Sequence, residues 1–450
     1  MILSKSSMFK IIFLFLIIIS YFLGYIYREN AAGGGPEFYE LSWPIIQSFK
    51  TDFLYTLENY GKFRDYTIPF SHILNSYFNP FSNDLESFQL SVTVISFIIF
   101  LIFYYVLIRI YKENNLLDIF LLSSVVLLSP FFRTSAFWGK NENYGWLFLI
   151  LAFYFFYKIK EDLYKYSKNE NIFNILFFCF FSACALYSRQ AFIFLPFSYF
   201  LYLFFNNANK KIIFISIIFY AIFAVPGFFL IWFWGALYPS LPEGMAPHGG
   251  LIGGYVQFIH ISKNFPILLS YIGFYFLPIL FIEFYNLGYK VLVNKYFKSF
   301  FISLIIFIFL SQTGILNYLG EYKLSGGAIL KLNYIIMKKN FLLLLLFASM
   351  GFSVLFRLCR ENPKNNLVIL LPMLIIYGFP RFLYQEYVEP LILIIFFLAL
   401  KTDLQKWYFK NVSLSNFILL AYFAFYLLGA IYFKHFAFST FEEWKIFIEG

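Results

Sequence analysis

Apolar residues along this chain do not alternate with polar ones; they come in continuous runs. The longer runs lie at 9–27, 88–111, 116–132, 212–234, 266–285, 300–317, 341–356 and 412–433, dominated by Phe, Ile, Leu and Tyr. An apolar run of ~17–25 residues is long enough to cross a bilayer as a helix. Shorter runs at 144–157, 172–187, 191–205, 367–379 and 390–400 continue the series. To span, these need a locally thinned bilayer or an extension into their flanks. The pattern predicts an all-α, polytopic transmembrane helical bundle of about 11–13 spans. An outer-membrane barrel would instead show roughly ten-residue segments of alternating character.

Composition supports the same class. The chain is 61% hydrophobic, 25% aromatic and 13% charged, whereas soluble domains are ~45–50% apolar and ~25% charged. The net charge of +10 does not call for nucleic acid, because Lys and Arg gather in short loops as the positive-inside rule expects. Lys158, Lys160, Lys165 and Lys168, the Lys210-Lys211 pair, Lys290, Lys295 and Lys298, and Arg357, Arg360 and Lys364 are such loops. Lys5 and Lys10 stand before the uninterrupted apolar stretch 11–27, which reads as an uncleaved signal anchor starting in the cytoplasm. Three long connections, 28–88, 235–265 and 318–340, then fall on the outer face of one integral membrane domain covering 1–450. The abundance of Phe, Ile, Asn, Lys and Tyr suggests an AT-rich bacterial genome, hence the inner membrane. Cys179, Cys184 and Cys359 lie in or beside spans with no paired loop spacing, so no disulfide framework or metal site is expected.

The connection 28–88 concentrates unusual chemistry. It begins Arg28-Glu29-Asn30-Ala31-Ala32-Gly33-Gly34-Gly35-Pro36-Glu37-Phe38-Tyr39-Glu40. Glycines permit a sharp entry and Pro36 suits the start of a helix. Glu37 and Glu40 then share one face of its first turn, where the helix dipole favours the ionised carboxylate. An ionised carboxylate at the membrane surface can take a proton from a sugar hydroxyl, though acids there are also good caps. Pro69 predicts a second interfacial helix carrying His72, with Arg64 and Asp65 before it. Arg133, Lys140, Asn141, Glu142 and Asn143 form another polar junction, where Lys140 and Glu142 are candidates to contact a donor head group.

Two arginines sit between apolar runs. Arginine at membrane depth is costly unless paired or facing a wet cavity, and its planar fork matches phosphate. Arg189 is therefore a candidate to hold a lipid phosphate, the alternative being an arginine that snorkels to the interface. Arg381 has the same logic, accompanied by Tyr384, Glu386, Tyr387 and Glu389, with Glu386 or Glu389 as its structural partner. His248, in Ala246-Pro247-His248-Gly249-Gly250, is a candidate on a lid or acceptor loop.

A first helix, an acidic loop that starts a helix, and a Thr67-Ile68-Pro69 step toward His72 resemble the GT-C superfamily of polyprenyl-phosphate-sugar glycosyltransferases. Ser188-Arg189-Gln190 resembles the Arg-Gln step of dolichyl-phosphate-glucose α-1,2-glucosyltransferases, with Ala191 where those enzymes tend to carry threonine. Residues 243–248, followed by Gln257 and His260, are similar to a Gly-Asp-Lys…His loop of that group without its Asp and Lys. Residues 381–390 resemble an Arg-Tyr-x-x-Pro junction of many GT-C chains.

The resemblance implies a hexosyltransferase that moves a sugar from a polyprenyl-phosphate donor to a glycan or lipid-linked acceptor, with inversion. Glu37 or Glu40 would act as base, and Arg189, Gln190, Arg381 and Tyr384 would bind the donor phosphate. His72, His248 and Glu142 would serve the acceptor or the loop. Partners would be the donor, the acceptor and membrane lipid, without nucleic acid. No cofactor is required; Mg or Mn serves some relatives, and no dense acidic cluster demands it here. One alternative is an O-antigen-type polymerase or ligase, with essential outer arginines and a dispensable Glu37. Another is a lipid or sugar transporter, which would need charged or broken helices near mid-membrane.

Overall fold

In a computed structural model of the chain, the residues described are 5–63, 67–140, 142–164, 172–236, 239, 258–313, 327–338, 340–380, 383–437, 443 and 446. Among the described residues every regular element is a helix. Seven helices are long and apolar enough to cross a membrane: Ser7–Ile26, Leu85–Ile110, Lys210–Trp234, His260–Leu287, Val293–Gln312, Leu342–Glu361 and Val412–Ala437. Leu116–Leu128 with Pro130–Phe137 makes an eighth if that broken pair is one span. The chain is a multi-pass, all-α integral membrane protein.

The span count among the described residues is lower than the expected 11–13, and the reason is physical. The run at 390–400 forms the eight-residue helix Leu391–Leu398, and every one of its residues is buried in protein. Phe194–Phe205 and Val368–Gly378 have 12 and 11 residues, too few for the ~20 a bilayer asks of a single straight helix. Glu142–Tyr164 has 23 residues, but Lys158, Lys160, Glu161 and Asp162 occupy its final turns. An apolar run requires cover; it does not say whether lipid or protein supplies it.

The chain divides into two compact units, Met1–Glu113 with Phe132–Val256, and Asn114–Phe131 with Gln257–Gly450. In the first, four short helices link the first two spans: Glu37–Glu40, Ser42–Thr51, Phe53–Glu58 and Phe70–Tyr77. The helices expected after Pro36 and Pro69 are thus present, each proline standing at the N-cap with φ of −58° and −69°. Asp52 Oδ1 accepts from Tyr55 N at 2.9 Å to start one helix, and Asp84 Oδ2 accepts from Ser87 N at 2.9 Å to start the second span.

The apolar sides of the linking helices meet in a cluster of Ile45, Phe49, Leu57 and Tyr60. Leu230, Phe233 and Trp234, at the end of the Lys210–Trp234 span, pack against it. Trp234 stacks on Tyr60 with centroids 6.0 Å apart, and its Nε1 donates to Leu57 O at 3.0 Å. The first connection is therefore docked on a distant span. One face of that span turns outward: Phe214, Ile217, Phe228 and Trp232 are exposed, as lipid-facing residues must be.

In the second unit, the helix containing His260–Leu287 is the most enclosed of the spans, with 83% of its apolar window buried. Leu342–Glu361 crosses it at two glycines. A Cβ on Gly351 would lie 2.0 Å from Leu269 O, and one on Gly273 would lie 2.1 Å from Phe347 O. Backbone meets backbone here, the close approach that small residues allow between membrane helices. Gly351→Ala is expected to force the helices apart and cost about 1–3 kcal/mol, read as a lower thermal midpoint of the detergent-purified protein. A midpoint equal to wild type would refute this crossing.

Glu283 joins the same pair of helices. Arg357 donates to Glu283 and Tyr296, and its Nε donates to Glu361 Oε1 at 2.6 Å. Lys295 Nζ lies 3.5 Å from Glu283 Oε1. Charges buried among spans are tolerated in this paired form.

Candidate functional site

The acidic turn of the first unit is built by its entry loop. Gly34 adopts φ +69°, a left-handed conformation that a side chain would strain. The loop then delivers Pro36 to the start of Glu37–Glu40. Phe38 is the buried anchor of this turn, stacked on Phe88 with centroids 5.7 Å apart. Glu37 and Glu40 stay exposed. Lys140 comes to the same place. Measured from the point where a Cβ on Gly34 would sit, Lys140 Nζ is 3.1 Å away and Glu37 Oε2 is 3.2 Å away. A cation thus stands near the carboxylate without forming an ion pair with it.

The loop behind this turn is held by a buried ion pair. Arg133 and Glu29 are 1% and 7% exposed. Arg133 Nε donates to Glu29 Oε1 at 2.8 Å and Nη2 to Oε2 at 2.6 Å. Nη2 also donates to Ser20 O at 2.7 Å, and the guanidinium carbon lies 5.3 Å from the Phe137 ring. Trp138 Nε1 donates to Glu29 O at 2.9 Å, Ala32 N donates to Thr134 Oγ1 at 3.1 Å, and Asn30 Oδ1 accepts from Gly35 N at 3.1 Å. Both partners were visible in the sequence. Their pairing across 104 positions was not, because neither shares a local motif with the other.

Glu142 opens the helix that follows Lys140. It is half-buried, and its Oε2 is enclosed without a hydrogen bond among the described residues. One turn on, Trp146 is buried, and the Arg189 guanidinium lies over its ring at 5.2 Å and near the Phe192 ring at 6.0 Å. Arg189 is half-buried at the N-cap of the Gln190–Ile193 turn. The platform of an aromatic face beneath a guanidinium is one of the arrangements arginine favours. Glu37 and Lys140 meet at Gly34, Glu142 and Trp146 stand one turn apart on one helix, and Arg189, with Gln190 next in sequence, lies over Trp146, all within the first unit.

His72 occupies a different environment from the other candidates. It is 1% exposed, and its Nδ1 shares a hydrogen bond with Tyr60 Oη at 3.0 Å. It braces the linking helices from inside, away from any open face.

In the second unit, Tyr384 is half-buried and packs edge-on to Tyr387 at 5.6 Å. Glu389 is 2% exposed. Its Oε1 accepts from Ser129 Oγ at 2.5 Å and Phe131 N at 3.2 Å. Its Oε2 accepts from Tyr275 Oη at 2.6 Å and Tyr426 Oη at 2.7 Å. Burial holds this carboxyl above its ordinary range, and the bonds from Ser129, Tyr275, Tyr426 and Phe131 oppose the shift. Arg381 and His248 lie outside the described residues, as do Arg64 and Asp65. Among the described residues no group of three or more His, Cys, Asp and Glu is arranged to hold a metal ion.

Comparison with protein-family models, with curated proteins and with solved structures gives no match.

Proposed function

We propose that the protein is a membrane glycosyltransferase of GT-C-like organisation, moving a hexose from a polyprenyl-phosphate donor to a hydroxyl acceptor. The observation that carries this reading is the exposed Glu37–Glu40 turn with Lys140 beside it, in the same unit as the Arg189–Trp146 platform. The turn offers an exposed carboxylate, and the platform offers a guanidinium for a phosphate. Glu37, with Glu40 second, would accept the acceptor proton as its oxygen attacks the anomeric carbon. The lipid phosphate would leave as an anion stabilised by Arg189, and Gln190 would add a neutral hydrogen bond. The donor would enter sideways from the outer leaflet of a bacterial inner membrane.

Membranes carrying wild type, Glu37→Gln, Glu40→Gln or Arg189→Ala are to be supplied with polyprenyl-phosphate hexose, and transfer of labelled sugar followed. Loss of the base is expected to slow transfer by about 10²–10⁴-fold, and Arg189→Ala by about 10²–10³-fold. Undiminished transfer in all three variants would sink the assignment. Loss in Arg189→Ala with full rate in both glutamate variants would favour the polymerase or ligase alternative.

A further inference from the structure

Beside the acidic turn, the first unit holds a cleft of about 180 Å³, lined in part by Tyr25, Arg28, Tyr39, Glu86, Gln89 and Trp138. We infer that this cleft binds one uncharged glycosyl ring of the acceptor, with the Gln89 amide as its polar anchor. The inference rests on the proposed transferase function, whose acceptor it locates.

Gln89 is the unexpected residue. It lies just inside the Leu85–Ile110 span and is 6% exposed. Its side-chain amide makes no hydrogen bond among the described residues, yet it lines the cleft. The amide atoms themselves still reach the cleft surface, so a ligand can take the place of water on them, each such hydrogen bond being worth about 0.5–1.5 kcal/mol. One amide offers a donor and an acceptor together, a match for adjacent hydroxyls. Two rings stand nearby in fixed geometry: Tyr39 and Trp138 pack edge-to-face at 5.7 Å and 76°. Trp138 is fixed further by its bond to Glu29 O. Tyr25, Tyr39, Phe137 and Trp138 supply aromatic walls, with Gln89 among them and Arg28 and Glu86 as further polar groups, and aromatic walls with a few placed polar groups are common in small-molecule sites.

Size and charge narrow the ligand. The volume is below the ~300–1,000 Å³ of pockets for drug-sized molecules, which suits one ring. Arg28 Nη2 lies 3.6 Å from Glu86 Oε1, both exposed at the rim, so the arginine charge is offset and the cleft presents no net cation to a phosphate. That separates it from a phospholipid head-group site. Tyr39 sits between Glu37 and Glu40 in sequence, so a ring held here lies next to the proposed base. In the sequence, Gln89 was one polar residue at the edge of an apolar run, with no signal to set it apart.

The test uses the full chain in nanodiscs and saturation-transfer NMR with the methyl α- and β-pyranosides of glucose, galactose and mannose. Glycerol 1-phosphate serves as the anionic comparison. At least one methyl pyranoside is expected to bind, and Gln89→Leu to weaken it about tenfold. Tyr39→Leu, which keeps an apolar side chain against the Phe38–Phe88 cluster, is expected to weaken it similarly, so misfolding of one variant leaves the other decisive. Absence of pyranoside binding to wild type would overturn the inference. So would binding untouched by both substitutions, or displacement by glycerol 1-phosphate. Pyranoside binding through Gln89 in a protein that transfers no sugar would keep the cleft and refute the transferase. Sugar transfer without such binding would refute the cleft alone.

Discussion

Arg133→Ala is expected to destabilise the first unit by about 3–5 kcal/mol, because it leaves the Glu29 carboxylate buried without its cation. In a unit of this size that is a fall of roughly 6–20 °C in thermal midpoint. The loss has three parts. Two charge-assisted bonds to Glu29 vanish, the Ser20 carbonyl loses its donor, and the guanidinium leaves a gap against Phe137. Removing both charges should cost less than removing one, since no buried ion then remains. The Glu29→Gln, Arg133→Leu double variant is therefore expected to melt above the Arg133→Ala single variant. Equal melting of the two would show that the pair does not hold the loop. Because the same loop presents Glu37, either break should also lower any sugar transfer at temperatures where the protein remains folded.

The second large effect is expected at Glu389. Its four donors are gathered from Ser129, Phe131, Tyr275 and Tyr426, so one carboxylate ties several segments of the second unit. Glu389→Ala leaves buried donors without an acceptor and should cost about 3 kcal/mol or more. The carboxyl also predicts a pH dependence. Its folded-state pKa is raised above the ordinary 4.5 by burial, so the folded protein binds this proton more tightly than the unfolded chain. The corresponding contribution to stability is complete below pH 4.5 and is lost as pH rises through the raised folded value. Glu389→Gln removes the titration and should flatten that part of the stability profile, measured as thermal midpoint against pH. A wild-type profile that instead climbs through this window would contradict the assignment. Glu389 thus serves the fold through neutral hydroxyl and amide donors.

Much of the candidate site was legible in sequence because its cues are local. Pro36 and Pro69 announce helix starts through their fixed φ, and both helices are present. Glu37 and Glu40 needed only helical spacing to share a turn. His72 misled because a histidine after a loop proline carries no sign of whether a tyrosine twelve residues earlier will enclose it. Gln89 and Glu29 were passed over for a related reason. One polar residue in an apolar segment gains meaning only when its neighbours in space are known.

By itself the sequence determined the class: a chain this apolar, in runs of bilayer length, has no stable option in lipid except helices that satisfy their own backbone. It also determined where ionisable groups could stand, since charge is excluded from most of those runs. Tertiary structure decided which apolar runs face lipid and which are buried in protein, as Leu391–Leu398 shows against Lys210–Trp234. It also decided which charges are paired away and which stay open. Burial and pairing depend on contacts between residues more than a hundred positions apart, such as Glu29 with Arg133, and no local pattern encodes them.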